Sequence, residues 1–171
     1  MRTNGLFISK LSYLICLWGG CSGQLRKKIQ VVQNRAARLV AKCDWSVPLK
    51  DVYRQIGWLS VKQLVFYHTV LLIFKTRQEK SPKYIHDMFS SKFGYHTRQA
   101  ERGAIQLLGR PKLDLTQSSF KWRGAKQFND LPAEIRLTPG LTAFKSKVKA
   151  WNKGNVDFAL NEQENHVHSL S

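Results

Sequence analysis

The side chains able to do covalent or metal chemistry are few in this sequence and poorly placed for it. Asp44, Asp51, Asp87, Asp114, Asp130 and Asp157 stand alone, with no Asp-Asp or Asp-x-Asp pair anywhere. Two-metal phosphoryl transfer needs clustered carboxylates, so polymerase or nuclease chemistry is not expected. Neither phosphate-cradling pattern, G-x-x-x-x-G-K-[ST] or G-x-G-x-x-G, is present, and Trp18-Gly19-Gly20 lacks the lysine that would follow. A nucleophile elbow, G-x-S-x-G, is absent as well. The three cysteines, Cys16, Cys21 and Cys43, are an odd number with no second pair to complete a zinc site, which fits a reducing compartment. His166-x-His168 lies in an acidic tail and is a poor chelate. No catalytic residue, metal, cofactor or small-molecule substrate is therefore expected.

What the chain has in excess is positive charge. Its 171 residues carry 28 Lys and Arg against 11 Asp and Glu, a net charge of +17. Residues 1–153 hold all the bases and eight of the acids, while residues 154–171 hold three acids and no base. Such an excess calls for a polyanionic partner, nucleic acid first and an anionic membrane surface second. Bases and aromatics interleave twice: Lys92, Phe93, Tyr95, His96, Arg98 and Arg102 in one loop, and Lys121, Trp122, Arg123 and Lys126 on one helix. Cationic side chains neutralise phosphates, and exposed rings stack on bases. Phe120, Trp122 and Phe128 serve equally well as core, the reading preferred for the rings. With three bases of an earlier helix, the candidate nucleic-acid-binding set is Arg35, Arg38, Lys42, Arg98, Arg102, Lys121, Arg123 and Lys126. RNA or DNA, bound without strong sequence preference, is the expected partner. A basic helical protein that binds an acidic protein partner is the rival reading.

The elements that must carry these residues are mostly helices. Ser22 is placed to cap a long one in which Leu25, Ile29, Val32, Ala36, Leu39, Val40 and Cys43 recur at steps of three and four. Arg26, Lys27, Arg35, Arg38 and Lys42 fall off that stripe, predicting an apolar inner face and a basic outer one. A short helix follows Ser46 and Pro48 and ends at Gly57. Ser60 caps a third, to about Gln78, with Leu64, Tyr67, Leu71 and Phe74 on one stripe and Val61, Val65 and Leu72 widening it, so it is the expected centre of the bundle. His68 on this helix reads as a core or boundary histidine. Ser81-Pro82 begins another short helix. Helicity returns after Ser119, stops before Pro132, and resumes in a brief turn over residues 133–136. Thr142 is the expected cap of a last helix, with Phe144, Val148 and Trp151 inward.

The expected fold is mainly α: a helical bundle with a short extended or β insert around residues 104–115. Its segments are an apolar amino-terminal stretch (1–21), a helical bundle (22–89), a basic loop with the insert (90–117), carboxy-terminal helices (118–153) and an acidic tail (154–171). The apolar run over residues 64–74 is too short for a bilayer, which takes about 20 residues. The first 20 residues resemble a weak signal peptide, but Lys10 interrupts the run and no A-x-A-like cleavage site follows. An intracellular chain with no membrane partner is expected, in nucleus or cytoplasm.

Read as motifs, the same residues resemble the carboxy-terminal, thumb and post-thumb region of a LINE-type (non-LTR) retrotransposon reverse transcriptase of the jockey-like branch. Tyr13 through Trp18-Gly19 resembles the tyrosine-to-tryptophan-glycine segment after the polymerase palm. Gln30 with Gln33-Asn34-Arg35-Ala36-Ala37-Arg38 resembles the family's "LQ-x-x-QNRAAR" helix. Trp58-Leu59-Ser60-Val61 is similar to its "WL-x-V" hinge, with Gln63 where an arginine is common nearby. Pro82-Lys83-Tyr84-Ile85 resembles "P-x-YL", and Thr97-Arg98 the "TR" loop. Ser119-Phe120 through Asn129-Asp130-Leu131-Pro132 is similar to "SF … WN-x-LP", with Phe128 in place of the usual tryptophan. Leu141-Thr142-Ala143-Phe144-Lys145 resembles the closing "L-x-x-FK" helix. These pieces run in the family's order from about residue 11 to 152. The resemblance implies an RNA-directed DNA polymerase parent whose Asp-Asp box and endonuclease domain have no counterpart here. It implies a chain that holds template and primer and has no active site of its own.

Overall fold

The computed structural model describes residues 2–89, 102–105 and 119–155, and these form nine helices and no strand. They are α1 (Arg2–Ser12), α2 (Ile15–Trp18), α3 (Gly23–Ala41), α4 (Leu49–Ile56), α5 (Val61–Arg77), α6 (Lys83–Phe89), α7 (Phe120–Asn129), α8 (Ala133–Arg136) and α9 (Leu141–Asn155). The protein is a mainly-α bundle, as its periodicity requires. Arg98, His96, the part of the expected insert beyond residue 105 and the expected tail beyond residue 155 lie outside the described residues.

Local chemistry explains most helix boundaries. Ser22 Oγ accepts a hydrogen bond from the Leu25 N–H at 3.3 Å, and Ser119 Oγ one from the Trp122 N–H at 3.4 Å. Each satisfies one of the backbone donors left over at a helix start. Gly57, at φ 71°, takes the left-handed conformation that closes α4. Ser60 and Gln63 form a reciprocal capping box, each side chain accepting from the other's N–H. The last helix departs from expectation: it begins at Leu141, and the Phe144 N–H reaches the Gly140 carbonyl at 2.9 Å. Thr142 is exposed within the first turn rather than capping it. The start of the chain, read only as an apolar segment, is also helical.

α5 is the axis of the bundle and is buried on nearly every side. Phe66, Val70, Ile73 and Phe74 pack with Phe128 of α7, Leu131, Ile135 of α8, and Phe144 and Val148 of α9. Segments 22–89 and 118–153 therefore share one core. At its other end Leu64 and Val65 meet Ile15 of α2. Gly19 permits that approach, because a Cβ there would lie 2.6 Å from Val65 Cγ1.

The inward face of α3 follows the expected stripe only in part: Ile29, Ala36 and Val40 are half-buried against the core, but they lie at its edge. Leu25, Val32 and Leu39 are exposed to 48%, 56% and 80%, whereas Gln30, Gln33, Asn34, Ala37 and Arg38 are buried. The inward face is turned by one residue position, about 100° on a helix of 3.6 residues per turn. The physical reason is hydrogen bonding. Gln30 Oε1 accepts from the Val61 N–H at 2.8 Å, at the start of α5. Gln30 Nε2 donates to Asn34 Oδ1 at 2.9 Å and to the Tyr53 hydroxyl at 2.8 Å, and that hydroxyl donates to Asn34 Oδ1 at 2.9 Å. Gln33 Nε2 donates to the Leu59 carbonyl at 2.9 Å. Burial pushes the Tyr53 phenol above its ordinary range, so it stays a neutral donor. Asn152 of α9 completes the arrangement by donating to the Gln63 carbonyl at 2.9 Å.

Gln30→Leu keeps the volume but leaves the Val61 N–H and the Tyr53 hydroxyl oxygen without that partner. An unmet buried polar group costs about 1–3 kcal/mol, so the variant should lose about 2–3 kcal/mol in urea denaturation. Gln24→Ala, at an exposed position of the same helix, should change stability by less than about 0.5 kcal/mol. Equal effects would contradict the capping role.

Candidate nucleic-acid interface

The structure divides the predicted basic residues into two kinds: those holding backbone together and those facing water. Arg38 is of the first kind and corrects the expected outer face of α3. It is 8% exposed, and its Nη1 donates to the Asp44 and Val47 carbonyls, both at 2.8 Å. Its guanidinium also lies 5.2 Å from the Trp45 ring centroid. Arg38 thus clamps the α3–α4 turn, which opens at Lys42 in the left-handed conformation, φ 53°. Arg123 is partly of this kind: Nη2 donates to the Cys16 carbonyl of α2 at 2.7 Å, while Nε and Nη1 are buried without a hydrogen-bond partner among the described residues.

Arg35, Lys42, Arg102, Lys121 and Lys126 are exposed, and none pairs with a carboxylate among the described residues. Lys126 Nζ rests 5.5 Å from the centroid of the half-buried Trp122 ring on the same helix face. Phe128 is fully buried, and Phe120 is half-buried edge-on against Phe89, so these two rings are packing residues. Trp122 is the ring left partly open among the bases.

The bases do not converge on one point. Arg123 on α7 lies near Arg26 at the start of α3, and the two cations repel: burial first, then Arg26, lowers the Arg123 guanidinium below its ordinary value. Lys42 lies 16 positions beyond Arg26, roughly 24 Å along the helix, with Arg35 between. Arg102 belongs to a third group at the far end of α5, with two arginines the sequence did not single out. Burial, and then Arg136, lowers Arg77; burial, and then Arg102, lowers Arg136. Cations that neighbour each other rather than carboxylates leave an uncompensated field over a long surface. That suits an extended polyanion better than a compact one. Arg77 and Arg136 were legible only as isolated bases, because nothing in their spacing shows that they meet.

Chemistry of other kinds is sparse. Among the described residues no three His, Cys, Asp or Glu side chains gather into a metal-binding group, and Cys16, Cys21 and Cys43 are free thiols. Burial raises the Cys16 thiol, against the opposing influence of the neighbouring Thr69 hydroxyl and Arg123. His68 is half-buried, and burial, then Lys75, lowers its imidazole so that it is neutral at pH 7. It borders a groove of about 350 Å³ whose other walls include Cys16, Leu72, Tyr84, Met88 and Phe120, largely apolar side chains. No single helix among the described residues is long and apolar enough to cross a membrane.

Arg35 and Arg38 give a direct contrast. Arg38→Ala removes the two charge-assisted hydrogen bonds that its buried guanidinium makes to the turn and should cost about 2 kcal/mol in urea denaturation. Arg35→Ala should leave stability within about 0.5 kcal/mol and weaken oligonucleotide binding. A stability loss for Arg35→Ala as large as that for Arg38→Ala would reverse these roles.

Compared with protein-family models, with curated proteins and with solved structures, the chain matches none.

Proposed function

We propose that this chain is a non-catalytic, nucleic-acid-binding carboxy-terminal part of a non-LTR retrotransposon reverse transcriptase, one that holds template and primer through a basic surface. The observation that carries the reading is charge without compensation. Three arginine neighbourhoods (Arg26 with Arg123, Arg77 with Arg136, and Arg136 with Arg102) place cation beside cation. Arg77, Arg123 and Arg136 each hold a backbone carbonyl, but the repulsion between neighbouring guanidiniums is a cost to the fold that a phosphate backbone would relieve.

The apolar surface supports the origin in the same way. Tyr13, Leu14, Leu17, Leu25, Val32 and Leu39 are exposed along the first elements of the chain. That suits a piece whose amino-terminal side packs on a preceding domain. The same residues favour a second reading. Leu25, Val32 and Leu39 recur every seven positions beside Lys28 and Arg35, a surface fitted to an amphipathic acidic helix of a protein partner.

Salt dependence separates the two. With about six phosphate contacts, log K against log[salt] should slope near −4 on single strands or near −5 on duplex, read by fluorescence anisotropy with unrelated oligonucleotides. Replacing Lys121 and Lys126 together by Ala should flatten the slope by about 1.5 and weaken all sequences alike. The same preparation should not extend a primed template with Mg2+ and deoxynucleotides. Absence of oligonucleotide binding at low salt would reject the nucleic-acid reading, and dose-dependent extension would reject the non-catalytic one.

A further inference from the structure

The segment 102–105 is tied down at both ends. Arg77 Nη1 donates to the Gly103 carbonyl at 2.7 Å. The Asn129 side chain brackets Ile105, accepting from its N–H at 2.8 Å and donating to its carbonyl at 2.7 Å. Gly103 has φ 70°, and a Cβ there would lie 3.0 Å from Leu137 Cδ2 and 3.2 Å from Arg77 Nη1, so only glycine lets the segment lie this close. Arg136 Nη1 donates to the carbonyl of the same Asn129 at 2.9 Å. Two neighbouring guanidiniums are thereby fixed beside one short segment, and Arg102 belongs to that segment, within electrostatic reach of Arg136. Arg77 is further oriented over the Phe128 ring, 5.5 Å from its centroid.

Each guanidinium has five N–H donors, and here Arg77 and Arg136 each place one on a backbone carbonyl. None of the three arginines has a carboxylate partner among the described residues. Forked, pre-oriented cations with donors to spare match the tetrahedral oxygens of a phosphate. We infer that Arg77, Arg102 and Arg136 form a binding site for one phosphodiester group of a bound strand, built on the pinned segment 102–105. This site rests on the nucleic-acid reading above and gives that reading a fixed anchor. The mutual repulsion of the three guanidiniums is what the phosphate relieves.

Arg102→Ala is the informative variant, because Arg102 is exposed and makes no hydrogen bond within the described residues. Lys50→Ala, exposed on α4, removes the same charge elsewhere. With a single-stranded oligonucleotide, Arg102→Ala should bind on the order of tenfold more weakly and flatten the salt slope by about one. Lys50→Ala should change either quantity far less. Equal effects of the two variants would overturn the site while leaving nucleic-acid binding intact. No binding by the unmodified chain would overturn both. A parallel thermal-shift titration with inorganic phosphate, at ionic strength matched with chloride, identifies the source of the anion. Modest stabilisation of the unmodified chain, lost in Arg102→Ala, agrees with the site. Stabilisation by phosphate together with an unchanged oligonucleotide affinity in Arg102→Ala would assign the site to free phosphate instead and overturn the phosphodiester inference.

Discussion

The carboxamide of Gln30 is the point on which three helices depend. Its oxygen takes the first N–H of α5, its nitrogen reaches Tyr53 of α4, and its own helix supplies Asn34 to close the loop of hydrogen bonds. A polar group in a core is stabilising only when its partners are complete, and here they come from elements far apart in sequence. Gln33 and Gln63 extend the pattern to the Leu59 carbonyl and to Asn152 of α9. The cost of burying polar side chains is thus offset by capping the most buried helix of the bundle. The same demand sets the rotation of α3 and turns Leu25, Val32 and Leu39 outward.

Arginine does comparable work at the edges of the fold. Arg38 closes the α3–α4 turn, Arg123 reaches the Cys16 carbonyl, Arg136 takes the last carbonyl of α7, and Arg77 holds Gly103. A helix end leaves carbonyls without intrahelical partners, and a long cationic fork can reach them where acids are scarce. Using arginine to hold helix-end and loop carbonyls concentrates positive charge where the chain turns. Structure and proposed function are therefore joined: the guanidiniums that tie the backbone together are among those whose repulsion an external polyanion would relieve.

The sequence was legible where local rules govern. Ser22, Ser60 and Ser119 cap helices, Gly57 ends one, and the apolar density of residues 61–77 marks α5 as central. It misled where tertiary hydrogen bonds outrank apolar periodicity. The stripe from Leu25 to Cys43 is a sound helical pattern whose Ile29, Ala36, Val40 and Cys43 are half-buried, yet the Gln30, Gln33 and Ala37 face next to it is the fully buried one, because periodicity carries no account of an N–H waiting on another helix. Arg38 was misjudged for the same reason, since the carbonyls of Asp44 and Val47 become its partners only after the chain turns. The residues of the Gln33–Arg38 motif are mainly packing residues, with Arg35 the exposed exception. Gln30 and Gln33 meet the Leu59–Val61 hinge, and Phe128 meets Phe144, so the resembling segments touch one another in the core. Arg77, Arg102 and Arg136, separated in sequence, form a group only in three dimensions.

The central claim is that a nucleic-acid strand binds the exposed cations together with the Arg77, Arg102 and Arg136 group, while the buried Arg38 serves the fold alone. It is tested most directly by NMR of the 15N-labelled chain, following arginine Nε–Hε and backbone amide signals during titration with a short single-stranded oligonucleotide. Shifts concentrated at Arg35, Arg77, Arg102, Arg136 and the Lys121–Lys126 turn of α7, with the Arg38 side chain and the Gln30 and Tyr53 amides unmoved, are the predicted result. Saturating shifts centred on Arg38 and Gln30, or none at any arginine, would contradict it.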